Sequence, residues 1–375
     1  MLSVRARGDG PERRIALVIV HEGNYMRKFT AVALAAVFAL GSFAAARAAT
    51  PILETGSSLL YPLMNLWVAS YQAKNHTVQI TTQSTGSGTG ISQAIAGVAQ
   101  IGASDAYMGD PQMRGHRMLN IPLAISAQQI NYNIPGLNNV HLHLSGPVLA
   151  GIYMGRIKYW NDPQIKALNR PYAGRLPHRT IIPIHRTDGS GDTFIFSQYL
   201  SFTTPMWSHG PGYGTSISWP SVSTAVGANG NPGMVQACKA TPYSIAYIGV
   251  SFINETNKAG LGYGLLKNRA GRFVAPTAST IGSAAAATYP KTPRDERISL
   301  VFAPGANSYP IINYEYAIVN PHQKNAETRE ALVKFLSWVL DHNGGQEMHF
   351  LNAVHFLPLP ASIAKLSREQ VAQIH

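Results

Sequence analysis

The stretch TIIPIHRTDGSGDTFIFSQYL, residues 180–200, contains a complete strand, turn and helix. The apolar residues of Thr180–Ile184 predict a buried strand, and the apolar spacing over Thr193–Leu200 predicts a helix. The turn between them, Asp188-Gly189-Ser190-Gly191-Asp192-Thr193, is rich in glycine and hydroxyl side chains and leads directly into the helix. A strand that passes through a short turn into a helix is the repeating unit of α/β proteins.

The same design occurs at two earlier positions in the chain. Thr55-Gly56-Ser57-Ser58 precedes a predicted helix over Leu60–Tyr71, and Thr85-Gly86-Ser87-Gly88-Thr89-Gly90 precedes apolar residues at helical spacing. Alternation and apolar runs predict the remaining elements, which are strands at Thr77–Thr82, Ile101–Ala103 and Tyr314–Val319 and helices at Val148–Met154 and Ala326–Leu340. Together they predict an α/β fold with mainly parallel strands. Gly, Pro, Ser and Ala dominate residues 205–233 and 258–310, which we expect to be loops on a substantial second lobe.

Each glycine turn is a candidate anion site. The first N–H groups of a helix have no partner within the helix, and its N-terminus has roughly half a positive charge. Glycine lets that backbone approach a ligand, and a serine or threonine hydroxyl adds a donor. One such turn is more often structural, because serine is an ordinary helix N-cap. Three turns in one α/β chain favour convergence on a single anion.

Arg186 supplies a cation at the end of the predicted strand, four residues before Ser190. A guanidinium matches phosphate oxygens in a bidentate way and stays charged at any relevant pH. The structural alternative is an ion pair with Asp188, which is compatible with a role in binding because Asp188 would then orient the guanidinium.

Two carboxylates, Asp105 and Asp192, stand among these donors. A carboxylate in an anion site must accept a hydrogen bond, so it requires a proton on the ligand. Hydrogen phosphate and dihydrogen phosphate have that proton and sulfate does not. A buried acceptor that faces a bare oxygen loses at least about 1–3 kcal/mol. The carboxylates therefore predict selection of phosphate over sulfate.

Motifs of several enzyme classes are absent from the sequence. There is no G-x-x-x-x-G-K-[ST] and no G-x-S-x-G, so neither a nucleotide-cleaving loop nor a hydrolase nucleophile is predicted. His141 and His143 have no nearby carboxylate or cysteine, which favours a solvent-facing strand edge over a metal site. Strand alternation directs His185 away from Arg186. We predict no enzyme activity, no metal and no cofactor.

Composition narrows the class further. The chain has 375 residues, a formal net charge of +12 and only 13% charged residues. It has no long run of like charge, so a nucleic-acid partner is not predicted. The single cysteine, Cys238, excludes a disulfide framework and a Cys-rich zinc module. Cys238 is expected to be a buried small side chain, and Trp160 a core residue.

The N-terminal segment predicts export. Met26-Arg27-Lys28 precedes an uncharged stretch, Phe29–Ala46, that ends in Ala46-Arg47-Ala48. A basic region, an apolar region and a small-x-small tripeptide are typical of a secretory signal, with cleavage after Ala48. Residues 1–25 would then be an extended n-region or a misassigned start. The alternative is an uncleaved anchor, but the stretch is short for a membrane span and rich in alanine. Residues 1–48 hold seven basic and three acidic residues, which leaves +8 on the remaining 327.

At these residues the chain resembles the periplasmic phosphate-binding proteins of the phosphate ABC transporter. The resemblance extends from Thr55 to about Pro358. It is seen at Gly56-Ser57-Ser58-Leu59, Gly86–Gly90, Gly102-Ala103-Ser104-Asp105-Ala106, Ile152–Lys158, Trp160-Asn161-Asp162, Arg186–Asp192 and Ile245-Ala246-Tyr247-Ile248-Gly249. The order of these segments is specific, although no single one would be.

The resemblance implies an α/β, two-lobed class II periplasmic binding protein fold with a ligand cleft between the lobes. It places the first lobe at 49–133 and 312–375 and the second at 134–311. It implies phosphate-binding roles for a set of residues, Ser58, Leu59, Ser87, Asp105, Arg186, Ser190, Gly191 and Asp192, with Gly86, Asp188 and Gly189 in support. It further implies a monomer that delivers inorganic phosphate to transmembrane permease subunits.

Two residues depart from the family pattern. Leu59 stands where an aromatic side chain is often found, which leaves a backbone contact intact but alters packing. Asp192 stands where many members have a threonine donor. A second carboxylate would accept another proton, so we expect dihydrogen phosphate to bind well and the affinity to weaken as pH rises.

Two alternative functions remain open from the sequence. A secreted phosphatase or other phosphoryl-transfer enzyme would use the same cradle, but it needs a nucleophile with a base, or a metal site. A receptor for sulfate or molybdate would bind a ligand without the proton that Asp105 and Asp192 require.

Overall fold

The computed structural model describes residues 49–375, which form one compact unit. The predicted signal segment, residues 1–48, lies outside the described residues. Within 49–375, no helix is long and apolar enough to cross a membrane.

The predicted strands at 77–82, 101–103, 180–184 and 314–319 are confirmed with boundaries shifted by one or two residues, whereas the longest strand, over 119–133, was not predicted. The described residues contain twelve strands. They are β1 (Thr50–Gly56), β2 (Val78–Ser84), β3 (Ile101–Ser104), β4 (Leu119–Asn133), β5 (His143–Leu144), β6 (Ile182–Arg186), β7 (Val226–Ala228), β8 (Ser244–Gly249), β9 (Gly262–Tyr263), β10 (Leu265–Lys267), β11 (Phe273–Val274) and β12 (Ile312–Val319).

The helices lie between these strands. They are α1 (Tyr61–Gln72), α2 (Ser87–Ile95), α3 (Asp110–Met113), α4 (Gly146–Tyr153), α5 (Pro163–Leu168), α6 (Gly191–Thr203), α7 (Pro205–Ser208), α8 (Gly230–Ala240), α9 (Ile253–Lys258), α10 (Ala278–Thr288), α11 (Ala326–Val339), α12 (Met348–Ala353) and α13 (Ala361–Val371).

The long strand β4 joins two groups of strands into one sheet, with the order β2-β1-β3-β12-β4-β8-β6-β7. Its first part, Leu119–Ala127, pairs with β12, and its second part, Gln128–Asn133, pairs with β8. All but one residue of β4 are buried, because helices and strands cover both of its faces. The strand thus crosses from one half of the fold to the other. The predicted lobe boundaries stay a prediction.

The sheet is mixed rather than mainly parallel, so that expectation was wrong. Strands β1, β2 and β3 are parallel, as are β6, β7 and β8. The two long strands β4 and β12 pair antiparallel with each other and with their outer neighbours. They carry the chain between the two halves in opposite directions, and each of them runs antiparallel to its neighbours on both sides.

The glycine-rich regions are more regular than predicted. Residues 258–310 include α10, whose alanine-rich sequence has a high helix propensity despite its weak amphipathic pattern. Thr277 caps it by accepting a hydrogen bond from Thr280 N at 3.3 Å. Residues 205–233 likewise contain α7 and β7 and the start of α8.

Large aromatic side chains fill the interior of both halves. Trp67, Trp160 and Trp207 are fully buried, which confirms the core assignment of Trp160. Trp67 Nε1 donates to Gly345 O at 2.7 Å and so fixes α1 against the C-terminal part of the chain. Cys238 is buried in α8, as expected.

Candidate functional site

The three glycine turns meet at one place in the fold. Gly88 N at the start of α2 donates to Gly189 O, in the turn before α6, at 2.8 Å. A Cβ on Gly86, whose φ is +89°, would lie 2.5 Å from Asp188 Oδ2. A Cβ on Gly191 would lie 2.5 Å from Asp105 Oδ2 and 2.6 Å from Ser87 Oγ. Glycine is therefore required at both positions for the turns to approach each other.

Asp105 lies at the centre of this arrangement, one residue after β3, and is almost completely buried. The Ser57 hydroxyl donates to Asp105 Oδ1, and the Ser87 hydroxyl lies 3.4 Å from Oδ2. The Asp105 backbone N–H in turn donates to Ser87 Oγ at 3.3 Å. Burial, together with the nearby charges of Glu315 and Asp192, raises the pKa of Asp105 well above its usual range.

The first turn contains two serine hydroxyls, those of Ser57 and Ser58, just before α1. Ser57 Oγ accepts from Leu59 N at 3.0 Å and from Leu60 N at 2.9 Å, so it satisfies the first N–H groups of that helix. Ser58 Oγ accepts from Asn231 N at 3.1 Å and from Asn231 Nδ2 at 3.0 Å. The Leu59 N–H, predicted to be a ligand donor, is thus bonded to Ser57 in this structure.

Arg186 is the cation of the site and ends β6. Its Nε donates to Asp188 Oδ1 at 2.7 Å, its Nη2 donates to Asp188 Oδ2, and its Nη1 donates to Asp192 Oδ2 at 2.7 Å. Asp188 is therefore placed to orient the guanidinium. Burial acts against ionisation of Asp188, but the hydrogen bonds and charge of Arg186 hold its pKa below its usual range. Asp188 Oδ1 also accepts from Gly230 N at 3.1 Å.

Asp192, in the first turn of α6, has a donor on each oxygen. Oδ1 accepts from Gln128 Nε2 at 3.0 Å, and Oδ2 accepts from Asn231 Nδ2 at 2.7 Å as well as from Arg186. The side chain is fully buried. Its contacts make it a counterion for Arg186 in this structure, an arrangement that the sequence pattern did not indicate.

Ser190 is the N-cap of α6. Its Oγ accepts from Thr193 N at 3.2 Å, and its own N–H donates to Thr215 O at 2.7 Å. The N–H groups of Gly191 and Asp192 belong to the first helical turn, where no intrahelical acceptor exists. Since Gly191 lies against Asp105 and Ser87, the positive end of α6 faces the carboxylate and the hydroxyls of the other turns.

Three residues of this site were missed in the sequence. Gln128 on β4 and Asn231 on α8 bind Asp192, and Asn231 Oδ1 also accepts from Gly249 N at 2.8 Å. Glu315, within β12, lies beside Asp105. An acidic residue inside the apolar run of a predicted buried strand was a signal that could have identified Glu315. Asn231 follows an ordinary Gly-rich segment, so no pattern singled it out.

The histidines lie away from the site, as the sequence favoured. His143 stacks on Phe273 at 4.1 Å, and His141 packs on Tyr263 at 4.0 Å. His185 stacks on Trp219 at 4.8 Å rather than facing the turns. In residues 49–375 there is no group of three or more His, Cys, Asp or Glu residues placed to hold a metal ion.

Comparison with known proteins identifies the family. The PBP superfamily domain matches residues 41–343. The phosphate-binding protein PstS of Methanocaldococcus jannaschii is 34% identical over 340 residues, which cover 86% of each chain. PstS of Pasteurella multocida is 32% identical over 91% of this chain and 94% of its own. The solved phosphate-binding protein of Stenotrophomonas maltophilia shares the fold with a TM-score of 0.63 at 19% identity, over 85% of this chain and 93% of that one. With its two-part α/β sheet and three converging turns, the chain belongs to the PstS family of phosphate-binding proteins.

Proposed function

We propose that this protein captures inorganic phosphate between its two lobes and delivers it to an ABC-type permease for import. The observation that supports this most directly is the meeting of three helix-entering turns around one buried arginine and one buried aspartate. Relatives that match over most of the chain are named phosphate-binding proteins. The donors are backbone N–H groups and hydroxyls, which hold an anion without a large excess of positive charge.

The residues proposed to contact phosphate come from both halves of the fold. Ser58, Leu59, Ser87 and Asp105 belong to the half that contains β1 and β3. Arg186, Ser190, Gly191 and Asp192 belong to the half that contains β6. Asp105 accepts the phosphate proton, and Arg186 and the N–H groups of α6 bind the other oxygens. Binding by both halves favours hinge closure around the ligand.

Release of Leu59 N from Ser57 accompanies binding in this proposal. The Ser57 hydroxyl retains Asp105 as its acceptor, so the change exposes one backbone donor without leaving a buried hydroxyl unpaired. Gly86, Asp188 and Gly189 hold the turns and the guanidinium in position.

The protein is proposed to bind rather than to turn over its ligand. It is further proposed to be periplasmic after signal cleavage behind Ala48, and monomeric, with permease subunits as partners. The hydroxyls of Ser57 and Ser87 are bonded to Asp105 and not to a histidine, so neither has the base that a nucleophile requires.

Parallel calorimetric titrations with phosphate and sulfate test the proposal. Tight phosphate binding with about 5- to 150-fold weaker sulfate binding is expected, because an acceptor without its proton loses about 1–3 kcal/mol. Equal affinities would refute it. Incubation with a phosphate monoester, with and without divalent cations, should give no turnover, and turnover would favour the phosphatase alternative.

A further inference from the structure

A second carboxyl group lies directly behind Asp105. Glu315 projects from β12, whose next residue, Tyr316, pairs with Ser104 at the end of β3. Both Asp105 and Glu315 are buried, at 2% and 0% exposure. Asn313 Nδ2 donates both to Asp105 O at 3.2 Å and to Glu315 Oε1 at 3.0 Å, so the Glu315 carboxyl group lies beside Asp105. The pair is formed by two adjacent antiparallel strands and is therefore held rigidly.

The hydrogen-bond partners of this pair require a proton between the two groups. Glu315 Oε1 accepts from Ser126 Oγ at 2.5 Å and from Asn313 Nδ2 at 3.0 Å. Within residues 49–375, no donor reaches the buried Oε2. Two ionised carboxylates are acceptors only, so this neighbouring pair can form a hydrogen bond and satisfy Oε2 only if one of the two groups is protonated.

The charged groups around the pair do not replace this proton. Asp192 on α6 is the charged group that faces the pair from the opposite half, and it acts on both members. Arg186 on β6 directs its guanidinium to Asp192 and Asp188. Within the described residues, no lysine, arginine or histidine forms an ion pair with Asp105 or Glu315. The Arg186 guanidinium is thus already shared by two other carboxylates.

We propose that Glu315 is a positioning residue that sets the ligand's charge preference by sharing one proton with Asp105. The pair then has a single negative charge, and one oxygen of Asp105 remains directed at the turns, where it accepts the proton of phosphate. Loss of the shared proton adds a second negative charge behind the ligand and weakens its binding. This inference rests on the proposed phosphate-binding function.

The pH at which this happens falls in the neutral to alkaline range. Burial raises the pKa of Glu315 to about 7, and burial with the neighbouring carboxylates raises that of Asp105 well above its usual range. Hydrogen phosphate still has one proton in this range, so the ligand can continue to donate to Asp105. Ionisation of the pair therefore adds its own loss of affinity at alkaline pH, and this part of the loss is removed when Glu315 cannot ionise.

Glu315→Gln tests the proposal. Glutamine keeps the shape and the carbonyl acceptor for Ser126 and Asn313, and its amide donates to Asp105 without titrating. Phosphate affinity is measured by calorimetry from about pH 5.5 to pH 9. The wild type should lose affinity by up to about tenfold per pH unit on the alkaline side, and the variant should lose clearly less over the same range.

Proton uptake on phosphate binding is a second measurement, and a mere loss of packing would not change it. Titrations above neutral pH, in buffers of different ionisation enthalpy, give the number of protons taken up with phosphate. The wild type should take up more protons than Glu315→Gln, since phosphate itself contributes equally to both. If the variant does not fold, the wild type alone tests the proposal. It should take up more protons than the titration of phosphate accounts for, and the absence of this additional uptake would overturn the proposal.

The matched control is Glu296→Gln. Glu296 is also fully buried, and its carboxyl accepts from Ser367 Oγ at 3.1 Å and Gln370 Nε2 at 2.6 Å, away from the glycine turns. The control should keep the wild-type pH profile. An unchanged alkaline loss in Glu315→Gln, or an equal flattening in the control, would overturn the proposal. Failure of the wild type to bind phosphate at any pH would instead overturn the proposed function, and the inference with it.

Discussion

Arg186 Nη1 lies 2.7 Å from Asp192 Oδ2, and both side chains are only 1% exposed. Arg186 also binds Asp188, so one guanidinium serves two carboxylates. A buried ion pair in this setting contributes little net stability, because desolvation offsets most of the attraction. Its effect on the site is electrostatic: the cation is neutralised before an anion arrives, and the affinity depends on N–H groups and hydroxyls.

Asp192→Asn should shift the preference of the site toward the phosphate dianion. The amide keeps the shape and an acceptor for Gln128, but it removes one negative charge beside Arg186. Phosphate affinity near pH 8 should rise by about tenfold, and the affinity should fall less steeply from mildly acidic to alkaline pH. Calorimetry across that range measures both effects. An affinity of the wild type that is flat or improves with pH would contradict the expected role of Asp192.

Asp105→Asn should reduce selectivity more than stability. The substitution replaces an acceptor of the phosphate proton by an amide that can donate to a bare oxygen. Phosphate affinity should fall by about 10- to 100-fold, since a hydrogen bond to a charged group contributes about 1.5–3 kcal/mol. Sulfate affinity should stay equal or rise. Parallel titrations measure the ratio of the phosphate affinity to the sulfate affinity. An unchanged ratio would show that Asp105 does not accept the ligand's proton.

Gly191→Ala should prevent the turns from meeting. The added Cβ would lie 2.5 Å from Asp105 Oδ2 and 2.6 Å from Ser87 Oγ, closer than atoms pack. Because the clash is confined to the turns and leaves the apolar core in place, the thermal midpoint should change by only a few degrees while phosphate affinity falls at least about hundredfold. Gly97→Ala is a useful comparison for space alone, because nothing lies within 4 Å of its Cβ position. Its positive φ of +66° makes some loss of stability expected, with binding retained.

Glu54→Gln should stabilise the protein at neutral to alkaline pH. Glu54 is fully buried in β1, and neither carboxyl oxygen has a hydrogen bond of normal geometry within the described residues. Burial raises its pKa from 4.5 to about 8, opposed only by the Gln83 backbone. The folded state therefore binds a proton that the unfolded state has lost, so this stability is complete below about pH 4.5 and is lost as pH rises through 8.

Chemical denaturation of wild type and Glu54→Gln at several pH values measures this effect. The free energy of unfolding of the wild type should decrease between about pH 5 and pH 8. The variant should decrease less, and should exceed the wild type by about 1–3 kcal/mol at the upper end. Parallel curves for the two proteins would show that the pKa of Glu54 is the same in the folded and unfolded states, so that burial does not raise it.

Local sequence signals were sufficient for the elements and for the turns. Amphipathic spacing identified α1, α6 and α11 within a few residues, and the three Gly/Ser/Thr turns were recognised as helix starts that could bind an anion. These features depend on contacts between neighbours in the chain, such as the Ser190 hydroxyl capping α6 through Thr193 N. The ion pair of Arg186 with Asp188 was visible for the same reason, because the two residues lie two positions apart in the chain.

The strand directions and the buried partners were decided by the tertiary structure alone. The antiparallel pairing of β4 with β12 joins residues almost 200 positions apart, and no local pattern in either strand indicates which strand it pairs with. The pairing of β12 with β3 likewise brings Glu315 to Asp105, and the packing of α8 brings Asn231 to Ser58 and Asp192. The sequence by itself determined which turns could hold an anion. Only the fold decided how many carboxylates surround the single arginine, because the charge of a buried site is the sum over residues that meet in space and not along the chain.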